Sequence, residues 1–306
     1  MSLIALLKGS GPSGFGYGST AEEATHGIDL SGKTFLLTGC NAGLGLETLR
    51  VLSLRGGYVI ATARTERKAK AAITAVAADG LPLPCDLAEP DTIRACVASV
   101  KQLGRPLDAI ICNAGIMALP KLQQRFGYEL QFFVNHIGHF MLVTELVDLL
   151  AEAGRVVVVS SDAHNRAPQE GIQLDNLSGE RGYSPWAAYG QSKLANLLFA
   201  RQLAKRLASS HRTANALHPG VIRTKLGRHM NSIARAAMVA VEPLFLKTVQ
   251  QGAATQCFLA AHPDVAAVSG QYYADCNPAP TSSRGADDEL AERLWQVSER
   301  IVQQVS

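Results

Sequence analysis

From Lys33 onward, short apolar runs alternate with longer segments of helical spacing. Parallel strands that are covered on both faces form short, continuous apolar runs. The pattern predicts seven such strands, at residues 35–38, 58–63, 83–86, 109–112, 156–159, 214–217 and 270–274. Apolar positions three and four apart predict helices at 44–55, 66–78, 91–103 and 187–207, and two helical segments within 126–150 that break at Gly138.

This alternation of strands and helices predicts an α/β fold. We expect a Rossmann-like, doubly wound parallel sheet of about seven strands with helices on both faces. Neither an internal repeat nor a break in composition interrupts residues 33–300, so we predict one catalytic domain at 30–306, although 306 residues would also suit two domains. We predict a separate N-terminal arm at residues 1–29. The glycines and serines between Gly9 and Gly18 predict that it is flexible and loosely held, with a docking or membrane-touching role as the alternative. Thr20 and Glu23 fit a capping box that begins a short helix.

Composition and charge argue against several classes of protein. A formal net charge of +3, evenly spread, does not favour nucleic-acid binding. The six cysteines are scattered, without a C-x-x-C pair or a Cys/His cluster, which predicts a reduced, cytoplasmic chain without a metal. The apolar run at residues 3–7 is too short for a transmembrane segment and lacks the flanks of a signal peptide. His136 and His139 have no third ligand at metal spacing, so we expect them to pack in the core.

A glycine cluster lies between the first predicted strand and the first predicted helix. Glycines allow a sharp turn and a close approach of the backbone to a pyrophosphate, which a helix N-terminus attracts. The spacing is G-x-x-x-G-x-G rather than the standard dinucleotide fingerprint, and an ordinary tight turn is the alternative. The candidate cofactor-binding residues of this cluster are Gly39, Asn41, Gly43, Leu44 and Gly45.

The end of the second strand bears on which nicotinamide cofactor is used. A carboxylate there would bind the ribose 2′-hydroxyl of NAD, but the sequence places Arg64 at this point. Because a guanidinium suits a 2′-phosphate, we favour NADP over NAD, with a solvated arginine at a helix start as the alternative. Further candidate cofactor contacts follow strands three and four, namely Asp86, Leu87, Asn113, Ala114 and Gly115.

Tyr189 and Lys193 are one helical turn apart, so their side chains share one helix face. A nearby ammonium favours the phenolate, and we expect Lys193 to lower the pKa of Tyr189 from about 10. Such a pair occurs by chance in many helices, and its context strengthens it. Ser161 follows the valine strand at the carboxyl edge of the sheet, where ligands bind. Asn135 is locally unfavourable within a helix, which indicates a function or a helix kink.

These residues, in this order, resemble the short-chain dehydrogenase/reductase family over roughly residues 30 to 300. The matching positions are 38–45, Asn113-Ala114-Gly115, Asn135, Ser161, Tyr189, Lys193 and 219–224. Residues 134–140, 188–196 and 217–220 are similar to the branch that contains retinol dehydrogenases and WW-domain oxidoreductases. The head, at 11–15 and 19–23, is similar to the plant short-chain dehydrogenase linked to chloroplast protein import and to its bacterial relatives.

The resemblance implies a role for each matching residue. Tyr189 would exchange a proton with the substrate oxygen, Lys193 would bind the nicotinamide ribose, and Ser161 would orient the carbonyl. Asn135 would hold a water in a proton relay from Lys193. Contacts to the nicotinamide would come from Pro219, Gly220, Val221, Ile222 and Thr224. The resemblance also implies a substrate-binding lid at about 224–250 and a homodimer or homotetramer.

Four further side chains complete the predicted site. Cys40 and Cys112 replace residues that are usual in the family, and we predict that both thiols are sensitive to oxidation. Tyr183 and Trp186 are candidate walls of the substrate pocket. Together these features predict an oxidoreductase that transfers a hydride between NADP(H) and a small-molecule substrate, a lipophilic aldehyde, ketone or alcohol. The alternative is an NADP(H)-sensing regulatory or scaffold protein with little turnover.

Overall fold

A computed structural model describes residues 8–222 and 246–305. Its strands are β1 (Thr34–Thr38), β2 (Tyr58–Ala63), β3 (Gly80–Pro84), β4 (Leu107–Cys112), β5 (Gln124–Arg125), β6 (Tyr128–Glu129), β7 (Leu150–Val159), β8 (Thr213–His218), β9 (Tyr272–Ala274) and β10 (Asn277–Pro278). Its helices are α1 (Gly43–Leu54), α2 (Glu66–Val76), α3 (Pro90–Leu103), α4 (Leu130–Phe132), α5 (Gly138–Leu146), α6 (Pro185–Arg206), α7 (Val249–Gly252), α8 (Ala254–Ala261) and α9 (Asp288–Val305). A π-helical segment, Phe133–Ile137, joins α4 to α5.

Eight of these strands form one sheet in the order β10-β9-β8-β7-β4-β1-β2-β3. All neighbours are parallel except β9 and β10, which form a C-terminal hairpin. The predicted α/β fold with about seven parallel strands is therefore confirmed, whereas β10 and the separate β5–β6 hairpin were not predicted. The strand order reverses between β1 and β4, and ligands bind such sheets at the carboxyl ends beside that point.

Helices cover both faces of the sheet, as the sequence predicts. Successive side chains of a strand point to opposite faces. Leu36 of β1 accordingly packs with the core that includes α3, α5 and α6. Its neighbours Phe35 and Leu37 pack with the core that includes α1 and α8. The central strands are thus buried on both sides, which explains their continuous apolar runs.

The third strand lies earlier in the chain than the sequence predicts. It spans Gly80–Pro84 rather than 83–86, and it pairs with β2 alone. Pro82 and Pro84 cannot donate backbone hydrogen bonds, which an edge strand tolerates. Cys85 and Asp86 therefore lie in the loop after the strand rather than within it.

The predicted helix break at Gly138 is wrong. Gly138 has helical dihedral angles of −59° and −40°, and α5 begins there. A side chain at this position would place its Cβ 2.8 Å from the Cβ of Leu87, so the glycine permits close packing of the helix against the loop after β3. The irregularity lies instead in the π-helical segment Phe133–Ile137, which contains Asn135. Such single-turn π segments are frequent at functional sites.

The N-terminal arm is held against the domain rather than loosely attached. The Ser13 amide donates to Asn277 Oδ1 at 2.9 Å, and Asn277 Nδ2 donates to the carbonyl of Phe15 at 3.0 Å. The predicted capping box is present, since the Thr20 amide donates to the Glu23 carboxylate at 2.8 Å and the Glu23 amide donates to Thr20 Oγ1 at 3.2 Å. The prediction of a flexible arm is therefore wrong. Local composition could not reveal these contacts, because the residues that hold the arm are far from it in sequence.

We expect three histidines to cause a loss of stability in acid: His136 and His139 are fully buried, and His218 is partly buried. Burial lowers the pKa of His136 to about 3 and the pKa values of His139 and His218 to about 4. The unfolded chain binds protons at these sites below pH 6.5 and the folded chain does not, so the free energy of unfolding falls as the pH drops from 6.5 toward 4. We expect a loss of about 2 kcal/mol per histidine at pH 5, measured by urea unfolding between pH 7.5 and 5.

A matched set of variants separates this effect from the titration of carboxylates. His136→Gln should reduce the loss of unfolding free energy between pH 7.5 and 5, whereas substitution of the exposed His26 or His211 with glutamine should leave that loss unchanged. An equal loss in His136→Gln and the parent protein would contradict the assignment.

Candidate functional site

Two adjoining cavities lie at the carboxyl edge of the sheet. Their volumes are about 440 and 500 Å³, and they share Leu44, Asn113, Gly115 and Ile116 in their walls. We name them the catalytic cavity and the dinucleotide cavity, respectively. The dinucleotide cavity is lined by the predicted cofactor residues Gly39, Asn41, Leu44, Gly45, Arg64, Asp86, Leu87, Asn113, Ala114 and Gly115. Gly43 is not among the residues lining it, and it forms the first residue of α1.

The glycine loop leaves room for a close approach of the backbone. Gly39 has a φ angle of +69°, and a Cβ there would lie 3.0 Å from Cα of Ala114. A Cβ on Gly45 would collide with the carbonyl oxygen of Gly39 and lie 2.7 Å from Asn113 Nδ2. Helix α1 begins in this loop, so its N-terminus suits a phosphate group. These features fit the pyrophosphate of a dinucleotide.

The charged residues in the walls of the dinucleotide cavity are Arg64 and Asp86. Arg64 is exposed and directly follows β2, where the sequence places it. Asp86 Oδ1 accepts a hydrogen bond from the amide of Ala88 at 3.1 Å, and its own amide donates to Thr92 Oγ1 at 2.9 Å. The carboxylate is thus fixed by its own loop, and Arg64 offers the cation of this cavity.

Thr38 connects the end of β1 to the end of β4. Its hydroxyl oxygen accepts hydrogen bonds from the amides of Asn113 at 2.9 Å and Ala114 at 3.0 Å. The ring of His139 bridges this point to the π-helical segment, with Nε2 2.8 Å from Thr38 Oγ1 and Nδ1 2.9 Å from the carbonyl oxygen of Asn135. His139 is fully buried, as the sequence predicts for a core histidine, but the prediction missed that it links the end of β1 to the π-helical segment.

Ser161, Tyr189 and Lys193 converge in the walls of the catalytic cavity. Ser161 follows β7, and helix α6 carries Tyr189 and Lys193. Burial raises the pKa of Tyr189, and a side-chain hydrogen bond with Ser161 offsets only part of this effect. The Lys193 ammonium donates to the carbonyl of Val159 at 3.0 Å and lies 5.8 Å from the centre of the Tyr189 ring.

This geometry contradicts one prediction about the pair. Within the protein alone, Lys193 does not lower the pKa of Tyr189, because burial dominates and the ammonium is directed at Val159. Burial instead lowers the pKa of Lys193 to about 8. The lysine is therefore the member of the pair whose pKa lies close to neutrality.

Asn135 forms hydrogen bonds with the loop after β4, beside Lys193. Its Oδ1 accepts from the Ile116 amide at 2.8 Å, while its Nδ2 donates to the Ile116 carbonyl and to Ser192 Oγ, both at 2.9 Å. A Cβ on Gly115 would lie 3.1 Å from Asn135 Oδ1 and 3.5 Å from Lys193 Nζ, so only a glycine leaves the space between these two groups open. The water-holding role of Asn135 stays a prediction.

The remaining wall of the catalytic cavity includes predicted and unpredicted residues. Pro219, Gly220, Val221 and Ile222 line it, as does Trp186. The prediction for Tyr183 is wrong, since its hydroxyl donates to the carbonyl of Leu119 and it does not line this cavity. Thr224 and the lid region up to residue 245 lie outside the described residues. Lining residues that the sequence analysis missed include Ile116, Met117, Asp162, Arg166 and His218.

The predicted oxidation sensitivity of two cysteines is wrong. Cys40 and Cys112 are fully buried beneath the cavities. Burial raises the pKa of Cys40 to about 11 and also raises the pKa of Cys112. Because the thiolate is the reactive form, burial and the raised pKa both disfavour oxidation of these thiols in the folded protein.

The described residues contain neither a metal-binding cluster nor a membrane-spanning helix. No group of three or more histidine, cysteine, aspartate or glutamate side chains within 8–222 and 246–305 is placed to bind a metal ion. In the same two segments, no helix combines the length and apolar character needed to cross a membrane.

Comparisons with known proteins agree with this geometry. Residues 33–234 match the family model described as short chain dehydrogenase. The chain is 38% identical to the short-chain dehydrogenase TIC 32 A, chloroplastic, of Brassica napus, over 99% of both chains. It is 37% identical to human retinol dehydrogenase 14, covering 89% of this chain and 87% of that protein. A crystal structure of a Mycobacterium paratuberculosis protein superposes with a TM-score of 0.75 at 32% identity, covering 94% of this chain and 98% of that one.

Proposed function

The protein belongs to the short-chain dehydrogenase family, and from this premise we propose that it interconverts a lipophilic carbonyl compound and its alcohol with NADP(H). One observation carries the proposal. Ser161, Tyr189 and Lys193 line a cavity that shares wall residues with a second cavity, whose glycine loop and arginine fit a dinucleotide. A proton donor and a cofactor site are thus adjacent, as hydride transfer to a carbonyl requires.

The dinucleotide cavity suits NADP(H) in three respects. Gly39 and Gly45 leave room for the pyrophosphate at the N-terminus of α1, and Arg64 offers a cation for a 2′-phosphate. Gly115 keeps the space beside Lys193 free for the nicotinamide half. When bound, NADPH supplies the hydride.

The side chains of the catalytic cavity supply the proton that the substrate oxygen receives. In the protein alone the pKa of Tyr189 is raised by burial, so at neutral pH the phenol is protonated and able to donate to the substrate oxygen. Ser161, hydrogen-bonded to Tyr189, orients the same oxygen. Lys193, with a pKa lowered by burial to about 8, can replace this proton through the water that Asn135 is predicted to hold. This arrangement favours carbonyl reduction near neutral pH.

The rim of the catalytic cavity supports a lipophilic substrate. Met117, Trp186 and Val221 line it and are 42%, 41% and 58% exposed, which is unusual for large apolar side chains. Arg166 packs over the ring of Trp186, with its guanidinium carbon 5.1 Å from the ring centre. An apolar rim above a polar base suits a long or cyclic hydrocarbon that carries one carbonyl group. Several relatives, the human protein compared above among them, are named retinol dehydrogenases, which agrees with this class.

The experiment measures the oxidation of NADPH and NADH in parallel over a panel of aliphatic, aromatic and isoprenoid aldehydes and ketones. We expect turnover with NADPH. Arg64→Ala should raise the KM for NADPH about 10- to 100-fold, since a charge-assisted contact is lost, and should leave the KM for NADH unchanged. Arg67→Ala, at an exposed arginine that does not line the dinucleotide cavity, is the matched control. A preference for NADH in the parent protein would contradict the role of Arg64.

A further inference from the structure

A buried lysine supports the turn at Gly220. Gly220 has a φ angle of +92°, and a Cβ there would lie 2.6 Å from Cδ and 3.0 Å from Cε of Lys247. The Lys247 amide donates to the carbonyl of Val221 at 2.9 Å, and Ile222 and Lys247 form a parallel bridge. The stem of Lys247 therefore runs directly against the turn that forms one wall of the catalytic cavity.

The charge of this lysine is neutralised away from the cavity. The side chain of Lys247 is fully buried, and its ammonium lies 2.6 Å from Asp275 Oδ1. Asp275 lies in the tight turn between β9 and β10, with a φ angle of +54°. An ammonium without such a partner would be costly at this depth. The pair thus holds the Lys247 stem in place beneath Gly220.

The N-terminal arm covers the Lys247 ammonium with the ring of Tyr17. The Lys247 ammonium lies 4.9 Å from the centre of the Tyr17 ring, within the range of a cation–π interaction. Tyr17 is only 7% exposed, and Lys8 packs on the same ring at 5.3 Å while its ammonium lies 3.6 Å from Asp275 Oδ2. The ring therefore helps to shield the Lys247 ammonium, whose side chain is fully buried, from water.

The arm is anchored to the segment that follows Lys247. The amide of Ala21 donates to the carbonyl of Gln250 at 2.9 Å, and Gln251 Nε2 donates to the carbonyl of Gly18 at 3.1 Å. Phe15 packs edge-on against Phe258 of α8, with ring centres 5.7 Å apart. These contacts flank Tyr17 on both sides along the chain, so the position of its ring follows from the docking of the arm.

We infer that the N-terminal arm contributes to cofactor binding, because Tyr17 and the Lys247–Asp275 pair together position the Gly220 turn against the nicotinamide half of NADP(H). The inference rests on the proposed function, since that function places the nicotinamide in the catalytic cavity. Tyr17, Lys247 and Asp275 are positioning residues and need not touch the cofactor. Their effect should therefore be confined to one half of the dinucleotide.

Calorimetric titration with two ligands tests this inference. NADPH reaches the Gly220 turn, whereas adenosine 2′,5′-bisphosphate carries only the adenosine half. Tyr17→Leu and Lys247→Met should each raise the dissociation constant for NADPH about tenfold and leave the dissociation constant for adenosine 2′,5′-bisphosphate unchanged. Lys247→Arg, which preserves the charge, should restore much of the NADPH affinity. If Lys247→Met fails to fold, Tyr17→Leu decides the test, because it leaves the ion pair intact.

The control variant is Lys33→Met, which removes another lysine that pairs with an aspartate. The Lys33 ammonium lies 2.9 Å from Asp108 Oδ1, at the amino ends of β1 and β4 and thus away from the cavities. It should change neither dissociation constant. Unchanged affinity for both ligands in Tyr17→Leu and Lys247→Met, or an equal loss for both ligands, would overturn the inference. A parent protein that binds neither ligand would instead contradict the proposed function itself.

Discussion

Replacing Tyr189 with phenylalanine should lower kcat by about 10²- to 10⁴-fold, the range typical of a lost general acid, without weakening NADPH binding. The phenolic hydroxyl is the only group removed, and the ring continues to fill the space beside Lys193 and Trp186. The substrate oxygen then lacks its proton donor, because Ser161 is too weak an acid to replace it. Stopped-flow measurement of NADPH oxidation gives kcat, and fluorescence titration gives the dissociation constant.

Tyr128→Phe is the matched control for this substitution. The Tyr128 hydroxyl donates to Gln304 on the protein surface at 2.8 Å, away from both cavities. Its kcat should equal that of the parent protein. Equal kcat in Tyr189→Phe and the parent would contradict the catalytic role. NADPH binding without turnover in either protein would favour a cofactor-sensing protein over an enzyme.

Gly45→Ala should abolish NADPH binding at millimolar concentrations. The added Cβ would collide with the carbonyl oxygen of Gly39, which is backbone and cannot rotate away. It would also press on Asn113 Nδ2, whose hydrogen bond to the Thr38 carbonyl at 2.8 Å joins β1 to β4. The loop must then move at the point where the pyrophosphate would approach, so the cavity loses its fit to the cofactor. Calorimetric titration with NADPH measures the loss.

Thermal unfolding shows whether Gly45→Ala remains folded, and Gly104→Asn provides the control. Gly104 caps α3 with a φ angle of +67° and has open space where a Cβ would be placed. Asparagine tolerates this left-handed conformation, and NADPH binding should be unchanged. A folded Gly45→Ala protein that binds NADPH as tightly as the parent would contradict the placement of the pyrophosphate.

The strands and most helices were predictable because their signal is local. The run of four valines at 156–159 and the spacing of apolar residues in α1 reflect burial on both faces of the sheet. The carboxyl ends of parallel strands meet at one edge, so the sequence predicts that residues such as Asn113 and Ser161 lie at the same edge of the sheet. Their presence in adjoining cavities follows from sheet topology alone.

Contacts between distant parts of the chain were not predictable in this way. The docking of the arm depends on Asn277, which is more than 260 positions from its partners Ser13 and Phe15. The pKa of Tyr189 depends on burial, which the spacing of Tyr189 and Lys193 does not reveal. His139 carried only the signal of a core residue, although it joins Thr38 to Asn135.

A crystal structure of the complex with NADP⁺ tests the central claim most directly. We expect the adenosine 2′-phosphate beside Arg64, the pyrophosphate over the Gly39–Gly45 loop, and the nicotinamide between Lys193 and the Gly220 turn with its reactive face toward Tyr189. A carbonyl carbon held about 3–3.5 Å from the reactive carbon of the nicotinamide would then have its oxygen at the Tyr189 hydroxyl. A dinucleotide bound elsewhere, or a nicotinamide directed away from Tyr189, would contradict the account.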